Sequence, residues 1–339
     1  MIVMGLADKC NFNCLFCLDR QSRGKGSPSL QEIRGLFEEI KRSNENTIML
    51  MEGESLIRPD FFEILEEAKR CKLNVYITTN GSMLSYYDYL VKIIKRGVSQ
   101  INLSIHSHIP AIANAISRNS SCYSLQRKAL ENIDLFNSLQ KRKVKRIPLY
   151  INTVVCKLNY KHLEGLVLYL KGLLKHTDFK IKFKFMVRGG ININLYRKLL
   201  PSLKEMKPYL KRAISILGIN KVIFSGFPLC VAPSYERACV ELWEALYSHN
   251  LYLDSYRLKN SRTQRDVVDQ EYCKYKECKG CSLNSICLGV RKDYKKLNPD
   301  FNLTLSKSNP QEVFKFMKCF PGKSKIANLE IEEKEIWPA

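Results

Sequence analysis

The sequence predicts an α/β protein, a partial (βα)6-type barrel followed by a smaller cysteine-rich C-terminal extension. Apolar runs alternate with amphipathic stretches about six times in the first half of the 339 residues. Strands that alternate with helices form parallel βαβ units, whose right-handed crossovers curl the sheet and leave the helices outside. Polar clusters follow the apolar runs, which is typical of barrels whose chemistry lies at the carboxyl ends of the strands. After about residue 190 the alternation stops.

Periodicity predicts the elements of the first half in order. The first helix is well marked, because its apolar residues follow the i, i+3, i+4, i+7 spacing and Ser29 with Glu32 forms a capping box. Gly97 ends a later helix. The predicted strands are residues 2–8, 47–54, 74–81, 100–107, 149–155 and 179–187. The predicted helices are residues 29–42, 60–71, 86–97, 122–140 and about 160–174.

The second half is predicted to be less regular. A helix-rich stretch at 195–217 leads to a short strand, and residues 254–272 are polar without periodicity, which predicts a long loop or a weakly ordered segment. We therefore divide the chain into four segments. These are a core barrel (1–190), a connecting helix and strand (191–228), a cysteine-rich region (229–295) and a C-terminal tail (296–339).

Composition indicates a soluble globular protein of the cytoplasm. Hydrophobic residues make up 45% and charged residues 26% of the chain. No apolar run approaches the ~18–20 residues that span a bilayer, and the start does not resemble a secretory signal. We therefore expect no membrane partner. Because the cytosol keeps thiols reduced, thirteen cysteines indicate metal or redox chemistry rather than disulfides.

The net charge of +22 predicts an acidic partner, since a field of this sign attracts polyanions and acidic peptides. The densest basic run, residues 141–146, is interpreted as a solvated helix end followed by a loop. The charge alone does not choose between a peptide and a nucleic acid.

Three cysteines near the start, Cys10, Cys14 and Cys17, are the strongest chemical signal. A structural zinc site usually takes four protein ligands. Three thiolates would leave one iron of a cubane [4Fe–4S] cluster open to a substrate or cofactor. A zinc site completed by a distant residue, or three buried thiols, are the alternatives that the spacing leaves open.

The motif around these cysteines resembles the signature of the radical S-adenosylmethionine (radical SAM) superfamily, CxxxCxΦC with an aromatic residue at Φ, here Phe16. The resemblance continues in order along residues 2–190. "MEGES" resembles the Gly-Gly-Glu-Pro segment of the family, "TTNG" lies where its third strand carries polar residues, and "LSIHS" and "INTVV" resemble its fourth and fifth strands. Glu52 and Ser55 depart from Gly-Gly-Glu-Pro, which puts the backbone course there in doubt.

The resemblance implies roles for individual residues. Cys10, Cys14 and Cys17 would hold the cluster, with S-adenosylmethionine on the open iron. Phe16 would lie near the adenine, and Glu54 would accept a hydrogen bond from the methionyl amino group. The residues that it implies for cofactor binding are Phe16, Gly53, Glu54, Thr79, Asn80, Ser104, Asn152 and Met186.

The resemblance also implies a mechanism. A reduced cluster would cleave S-adenosylmethionine, and the resulting 5′-deoxyadenosyl radical would abstract hydrogen from the substrate. A sulfonium is hard to reduce, so the cluster is expected to have a low potential. The electron would come from a reductant such as flavodoxin or ferredoxin. No catalytic residue is assigned beyond the ligands of the cluster and of S-adenosylmethionine.

A second group of cysteines near the C-terminal end predicts another metal site. Cys273, Cys278, Cys281 and Cys287 lie close together in sequence, with Cys230 as a possible associate. Four thiolates suit zinc or an iron–sulfur cluster equally. The arrangement resembles the SPASM or twitch extension of radical SAM enzymes, which implies an auxiliary iron–sulfur cluster held by Cys230, Cys278, Cys281 and Cys287, with Cys273 alternative or extra.

The resemblance implies a peptide substrate, as for maturases of ribosomally made peptides, and the positive charge suits an acidic one. An enzyme that modifies RNA or tRNA is the first alternative, and a basic zinc-containing nucleic-acid-binding protein is the second. His106 and His108 receive no role. The other five cysteines are interpreted as small buried hydrophobes: Cys71, Cys122, Cys156, Cys239 and Cys319.

Overall fold

The computed structural model describes most of the chain. The described residues are 1–21, 23–43, 45–140, 146–231, 234–242, 251–254, 257–263, 271–300 and 303–313. Cys319, residues 141–145 of the basic run and most of the predicted C-terminal tail lie outside them.

A sheet of nine strands forms the centre of the described structure. The strands are β1 (Ile2–Gly5), β2 (Thr47–Met51), β3 (Asn74–Thr79), β4 (Val98–Ser104), β5 (Leu149–Val155), β6 (Phe179–Phe185), β7 (Val222–Ser225), β8 (Leu251–Asp254) and β9 (Arg257–Thr263). Their spatial order is β7-β6-β5-β4-β3-β2-β1-β8-β9. Strands β1 to β8 pair in parallel and β9 runs antiparallel to β8. The curled sheet with its helices confirms the predicted α/β partial barrel.

Helices follow most of the strands. They are α1 (Leu30–Arg42), α2 (Phe61–Arg70), α3 (Tyr87–Lys95), α4 (Pro110–Ser117), α5 (Cys122–Ser138), α6 (Leu163–Leu173), α7 (Ile193–Leu199), α8 (Leu203–Leu217) and α9 (Lys292–Leu297). The predicted capping box of α1 is present, since Ser29 and Glu32 bond reciprocally. Helix α4 was not predicted from the sequence.

The sheet has one face covered by helices and one that is partly open. On β5 and β6 the residues alternate strictly between buried and half-buried. The buried ones, such as Ile151 and Phe183, join a core with helix residues such as Ile133 and Leu166. We call the opposite face of β2 to β7 the inner face. It is the face on which a ligand can reach the sheet.

The described residues of the C-terminal half include strands that the sequence did not predict. The last residue of β8 and all of β9 lie within the stretch 254–272, where a loop was expected. Two two-residue strands, β10 (Tyr272–Cys273) and β11 (Val290–Arg291), pair antiparallel on either side of the segment that carries Cys278, Cys281 and Cys287. The division of the chain into four segments stays a prediction.

None of the helices in the described ranges is long and apolar enough to cross a membrane.

Candidate active site

The loop between β1 and α1 carries the first three cysteines, and we call residues 9–18 the cysteine loop. Two main-chain hydrogen bonds fix it to the end of α4. The amide of Asn13 donates to the carbonyl of Ser117 at 3.0 Å, and the amide of Leu15 donates to the carbonyl of Ile116 at 2.8 Å. The loop is therefore held by backbone groups from a helix more than 100 residues further along the chain.

The three thiols of this loop are half-buried neighbours. Burial, with a smaller contribution from the adjacent Cys10 and Cys17, raises the pKa of Cys14 to about 12. Burial also raises the pKa of Cys10 and of Cys17. In this state the thiols are protonated at neutral pH, so loading a metal must release their protons.

Polar groups approach the sulfur atoms from several sides. Cys10 Sγ accepts from the amide of Phe12 at 3.4 Å and from Nδ2 of Asn80 at 3.7 Å. Nη2 of Arg23 lies 3.9 Å from Cys17 Sγ and also donates to the carbonyl of Phe12 at 2.9 Å. These donors would stabilise thiolate charge.

Sequence reasoning missed the charged residues that follow the cysteine motif. Besides Arg23, Arg20 donates from Nη2 to the carbonyl of Cys14 at 2.9 Å. Asp19 accepts from the amide of Gly53 at 3.1 Å. Burial raises the pKa of Asp19, and Lys184 and Arg23 partly offset the rise. The signal that could have found them is their position directly after the third cysteine, in "CLDRQSR".

Gly53 lies where the chain after β2 packs closely against the backbone at the start of the cysteine loop. A Cβ atom there would be 2.4 Å from the carbonyl oxygen of Ala7 and 2.5 Å from that of Lys9, and the backbone φ is +57°. Glu52, at a position where the family pattern has glycine, also has a positive φ of 65°. The amide of Glu54 then donates to the carbonyl of Lys9 at 2.8 Å. Glu52 and Gly53 therefore both have a left-handed backbone conformation.

The carboxylate of Glu54 is fully buried. Its Oε1 accepts from Oγ1 of Thr79 at 2.7 Å and from the amide of Leu56 at 3.3 Å, and its Oε2 accepts from the amide of Asn80 at 2.6 Å. Burial raises its pKa to about 7, and these hydrogen bonds oppose the rise. A carboxylate offers about four acceptor positions, so one is left for a further donor.

Asn80 joins this carboxylate to the cysteine loop. Its amide bonds Glu54, while its Nδ2 donates to Oδ1 of Asn11 at 2.8 Å as well as to the sulfur of Cys10. Its Oδ1 accepts from the amide of Ser82 at 2.8 Å, which is the turn geometry that Asn-Gly favours. The predicted residues Cys10, Glu54, Thr79 and Asn80 thus come together in one place.

Three other residues predicted to bind the cofactor lie on or next to strands β4, β5 and β6. Ser104 and Asn152 are half-buried partners in register on β4 and β5. Met186 is fully buried just after β6.

The ring of Phe16 contacts His106 edge-on, with centroids 4.9 Å apart. Burial, together with Lys184, lowers the pKa of His106 to about 4, so His106 is neutral at pH 7. His106, for which the sequence predicted no role, therefore lies beside the cysteine loop.

The C-terminal cysteines form a second group. Cys230, Cys278, Cys281 and Cys287 line one cavity with apolar residues such as Leu229 and Leu283. Burial raises the pKa of Cys230 to about 12, and the three other thiols add to the rise. The amide of Gly289 donates to Cys287 Sγ at 3.3 Å.

Cys273 does not share this arrangement. It lies on β10, opposite Val290, and is not among the residues that line the cavity. Across the described ranges, no three His, Cys, Asp or Glu side chains converge on a point suited to a single metal ion. A cubane differs from such a site, because its thiolates bind separate iron atoms.

Comparison with known families gives one match over this part of the chain. Residues 4–170 match the radical SAM superfamily. Among curated proteins the chain is similar to molybdenum cofactor biosynthesis protein 1 of Bos taurus, with 27% identity over 62% of this chain and 33% of that protein. It is also similar to GTP 3′,8-cyclase of Peptoclostridium acidaminophilum, with 25% identity over 82% of this chain and 74% of that protein. The chain spans between a third and a half of the first curated relatives that it matches.

Two solved structures share the fold. Streptococcus suis SuiB bound to S-adenosylmethionine superposes with a TM-score of 0.57 at 15% identity, covering 86% of this chain and 73% of that one. Native anSMEcpe with bound AdoMet and Cp18Cys peptide superposes with a TM-score of 0.55 at 16% identity, covering 93% and 94%.

Proposed function

Because the chain belongs to the radical SAM superfamily through residues 4–170, we propose that it is an enzyme of S-adenosylmethionine radical chemistry whose substrate is a peptide. The observation that carries the proposal is the position of Asn80, which bonds both the carboxylate of Glu54 and the sulfur of Cys10. Asn80 thereby links the buried carboxylate to the cysteine loop, and a cofactor bound to a cluster would need both.

The residues present fit a [4Fe–4S] cluster at the cysteine loop. Three neighbouring thiols come from one loop, and donors from Phe12, Asn80 and Arg23 point at two of the sulfurs. When bound, the cluster and S-adenosylmethionine supply one electron and a 5′-deoxyadenosyl radical that abstracts a hydrogen atom. Cys10, Cys14 and Cys17 would hold the cluster.

Glu54 and its partners would orient the methionyl end. A buried carboxylate with three donors and one remaining acceptor position suits an amino group, and a positively charged donor would lower the raised pKa of Glu54. Thr79 would keep one carboxylate oxygen fixed through its hydroxyl. Phe16, backed by the neutral His106, would offer an apolar surface to the adenine ring. Ser104, Asn152 and the backbone at Met186 would complete the pocket along the sheet.

The cavity of Cys230, Cys278, Cys281 and Cys287 would hold an auxiliary iron–sulfur cluster in a SPASM or twitch-like extension. Four thiols at one cavity match the usual ligand number of such a cluster. Cys273 would not be a ligand, because it lies on β10 outside the cavity lining.

A peptide substrate is supported by the fold neighbours and by charge. The SuiB structures include one bound to precursor peptide SuiA, and anSMEcpe holds the Cp18Cys peptide. The net charge of +22 favours an acidic peptide. A cytoplasmic location, where flavodoxin or ferredoxin could supply electrons, fits this chemistry.

A nucleotide substrate is the second candidate. It is favoured by the curated relatives named GTP 3′,8-cyclase. Incubating the reduced protein separately with an acidic peptide and with GTP, followed by mass spectrometry of each, separates the two candidates.

The proposed chemistry is tested by anaerobic reconstitution. The protein should bind about four iron atoms at the cysteine loop and form 5′-deoxyadenosine from S-adenosylmethionine after reduction with dithionite. Cys14→Ala should abolish that product, whereas Cys71→Ala, which removes a buried thiol at the end of α2, should not. The proposal is wrong if Cys14→Ala retains the product, or if the loop binds zinc and no iron.

A further inference from the structure

Strand β6 places three lysines in one line on the inner face. Its sequence, FKIKFKF, alternates between buried residues that face the helices and half-buried lysines that face the other way. Lys180, Lys182 and Lys184 are therefore successive residues on the same side of one strand. Alternate residues of a strand lie about 6.5 Å apart. The three ammonium groups therefore line one wall of the space on the inner face of the sheet.

The neighbouring strands offer these lysines polar groups but no acidic side chain in register. Lys180, Lys182 and Lys184 lie opposite Tyr150, Asn152 and Val154 of β5. On the other side, Ile223 and Ser225 of β7 are the partners of Lys182 and Lys184.

Two acidic groups near the carboxyl end of this wall accept hydrogen bonds from other residues. Asp19 accepts from the amide of Gly53. Glu241 accepts from the hydroxyl of Ser225 at 2.9 Å and from the amide of Gly226.

The three lysines are not equivalent. Lys184 is near the carboxylate of Asp19, which it influences electrostatically. Lys180 lies with its Nζ 5.8 Å from the ring centroid of Tyr150. Within the parts of the chain that the structure describes, Lys182 makes no hydrogen bond, ion pair or ring contact. Among the described residues, Lys180 and Lys182 therefore have no ion-pair partner.

Such a wall has a physical consequence. A half-buried charge without a partner is costly, and a concave surface lined by one sign of charge concentrates the electrostatic field. An anion seated there would offset the repulsion between neighbouring ammonium groups. Ser104 and Asn152, which we assign to the cofactor pocket, lie in register with Lys182 across β4 and β5, so an anion at Lys182 would lie next to the cofactor.

We propose that Lys180 and Lys182 form an anion seat on the inner face, which binds a carboxylate or a phosphate of the substrate. The inference rests on the proposed function, because it places the substrate on the inner face beside the cofactor site. Lys180 pairs with Tyr150, two residues before Asn152 on β5, so the seat extends from the cofactor end of the sheet towards its amino end. The seat therefore selects a substrate with negative charge some distance from the reacting atom.

The test compares two double variants with equal loss of charge. Lys180→Met with Lys182→Met removes both ammonium groups while keeping an unbranched apolar chain at each position. Lys204→Met with Lys211→Met removes two exposed lysines of α8 and serves as the control. Binding of hexaglutamate, hexaglutamine and GTP to the reconstituted protein is measured by calorimetry at low and at moderate salt, because exposed charges are screened as salt rises.

The wild-type protein should bind hexaglutamate or GTP, and not hexaglutamine. The inner-face variant should bind the same anion about tenfold or more weakly, while the control variant should change by less than about twofold. Lys182→Arg should retain binding, which shows that a loss in the methionine variant comes from charge. A loss for hexaglutamate identifies a carboxylate as the ligand, and a loss for GTP alone identifies a phosphate.

Two results would overturn the anion seat. One is equal anion binding by the inner-face variant and the control. The other is a parallel loss of S-adenosylmethionine binding in the inner-face variant, which would assign the lysines to the carboxylate of the cofactor. Formation of 5′-deoxyadenosine by the wild-type protein without any added anion tests the proposed function separately. A protein that binds the anion through these lysines but forms no such product would keep the seat and refute the function.

Discussion

Replacing Gly53 with alanine tests how tightly the chain after β2 is fitted to the cysteine loop. The added Cβ would lie 2.4 Å from the carbonyl oxygen of Ala7 and 2.5 Å from that of Lys9, whereas real Cβ contacts stay above 3.0 Å. These oxygens would have to retreat by 0.6 Å and 0.5 Å, the differences from 3.0 Å. Both belong to backbone, so no flexible side chain can move aside.

The expected cost has two parts. Overpacking costs about 1–3 kcal/mol, and a left-handed φ adds about 1–2 kcal/mol for a residue with a Cβ. We therefore expect the free energy of unfolding to fall by about 2–5 kcal/mol. The shift should also weaken the bonds that Lys9 and Asp19 make with this segment, so the cysteine loop should retain less iron.

Urea unfolding of the metal-free protein measures the effect as a lower midpoint at an unchanged slope. Gly35→Ala is the matched control, because Gly35 lies inside α1 with no atom within 4 Å of its added Cβ. It should stabilise the protein by about 0.5–1 kcal/mol. The reasoning is refuted if Gly53→Ala unfolds at the wild-type midpoint and binds iron normally.

Three further predictions concern the metal sites and Glu54. Cys230→Ala should remove the iron of the proposed auxiliary site, whereas Cys273→Ala should not, because Cys230 lines the cavity and Cys273 does not. Equal iron content in the two variants would contradict this ligand set. Arg23→Met should lower the reduction potential of the cluster at the cysteine loop, because Arg23 lies beside Cys17 Sγ and its positive charge favours the added electron. Potentiometric titration measures this potential. An unchanged potential would argue against the contact. Glu54 has a folded-state pKa of about 7 against 4.5 when free, so the folded state binds the proton more tightly. Its contribution to stability is therefore present below pH 4.5 and is lost as pH rises through 7, by about 3 kcal/mol. Glu54→Gln should weaken the dependence of the unfolding free energy on pH in the metal-free protein. Equal slopes in the variant and the wild type would show that the carboxylate is not buried as described.

Much of the barrel could be predicted from the sequence, because its strands are short apolar runs that end at turn signals. The six predicted strands all occur, with ends that differ by a few residues. Strand β9 could not be predicted in the same way. Its sequence, RLKNSRT, has no apolar alternation, and its ladder depends on β8 as a partner. Edge strands such as β9 are specified by their neighbours more than by their own composition.

The candidate site was predictable where the chemistry lies in one short motif, as for the cysteine loop. It was not predictable where contacts join distant segments. The alternation of lysines in β6 was visible, yet only the packing of helices shows which face they occupy. In the same way, spacing grouped Cys273 with the three following cysteines and left Cys230 as a possible associate, whereas in the structure Cys230 lines the cavity with those three and Cys273 does not.

The attachment of the cysteine loop to the end of α4 has a consequence for how this protein can change. Both hydrogen bonds join main-chain atoms, from Asn13 to Ser117 and from Leu15 to Ile116. Every amino acid except proline carries the same amide donor, so side chains at positions 13 and 15 can be exchanged without loosening the attachment. The surroundings of the thiols can therefore diversify by mutation while the scaffold that presents them stays the same.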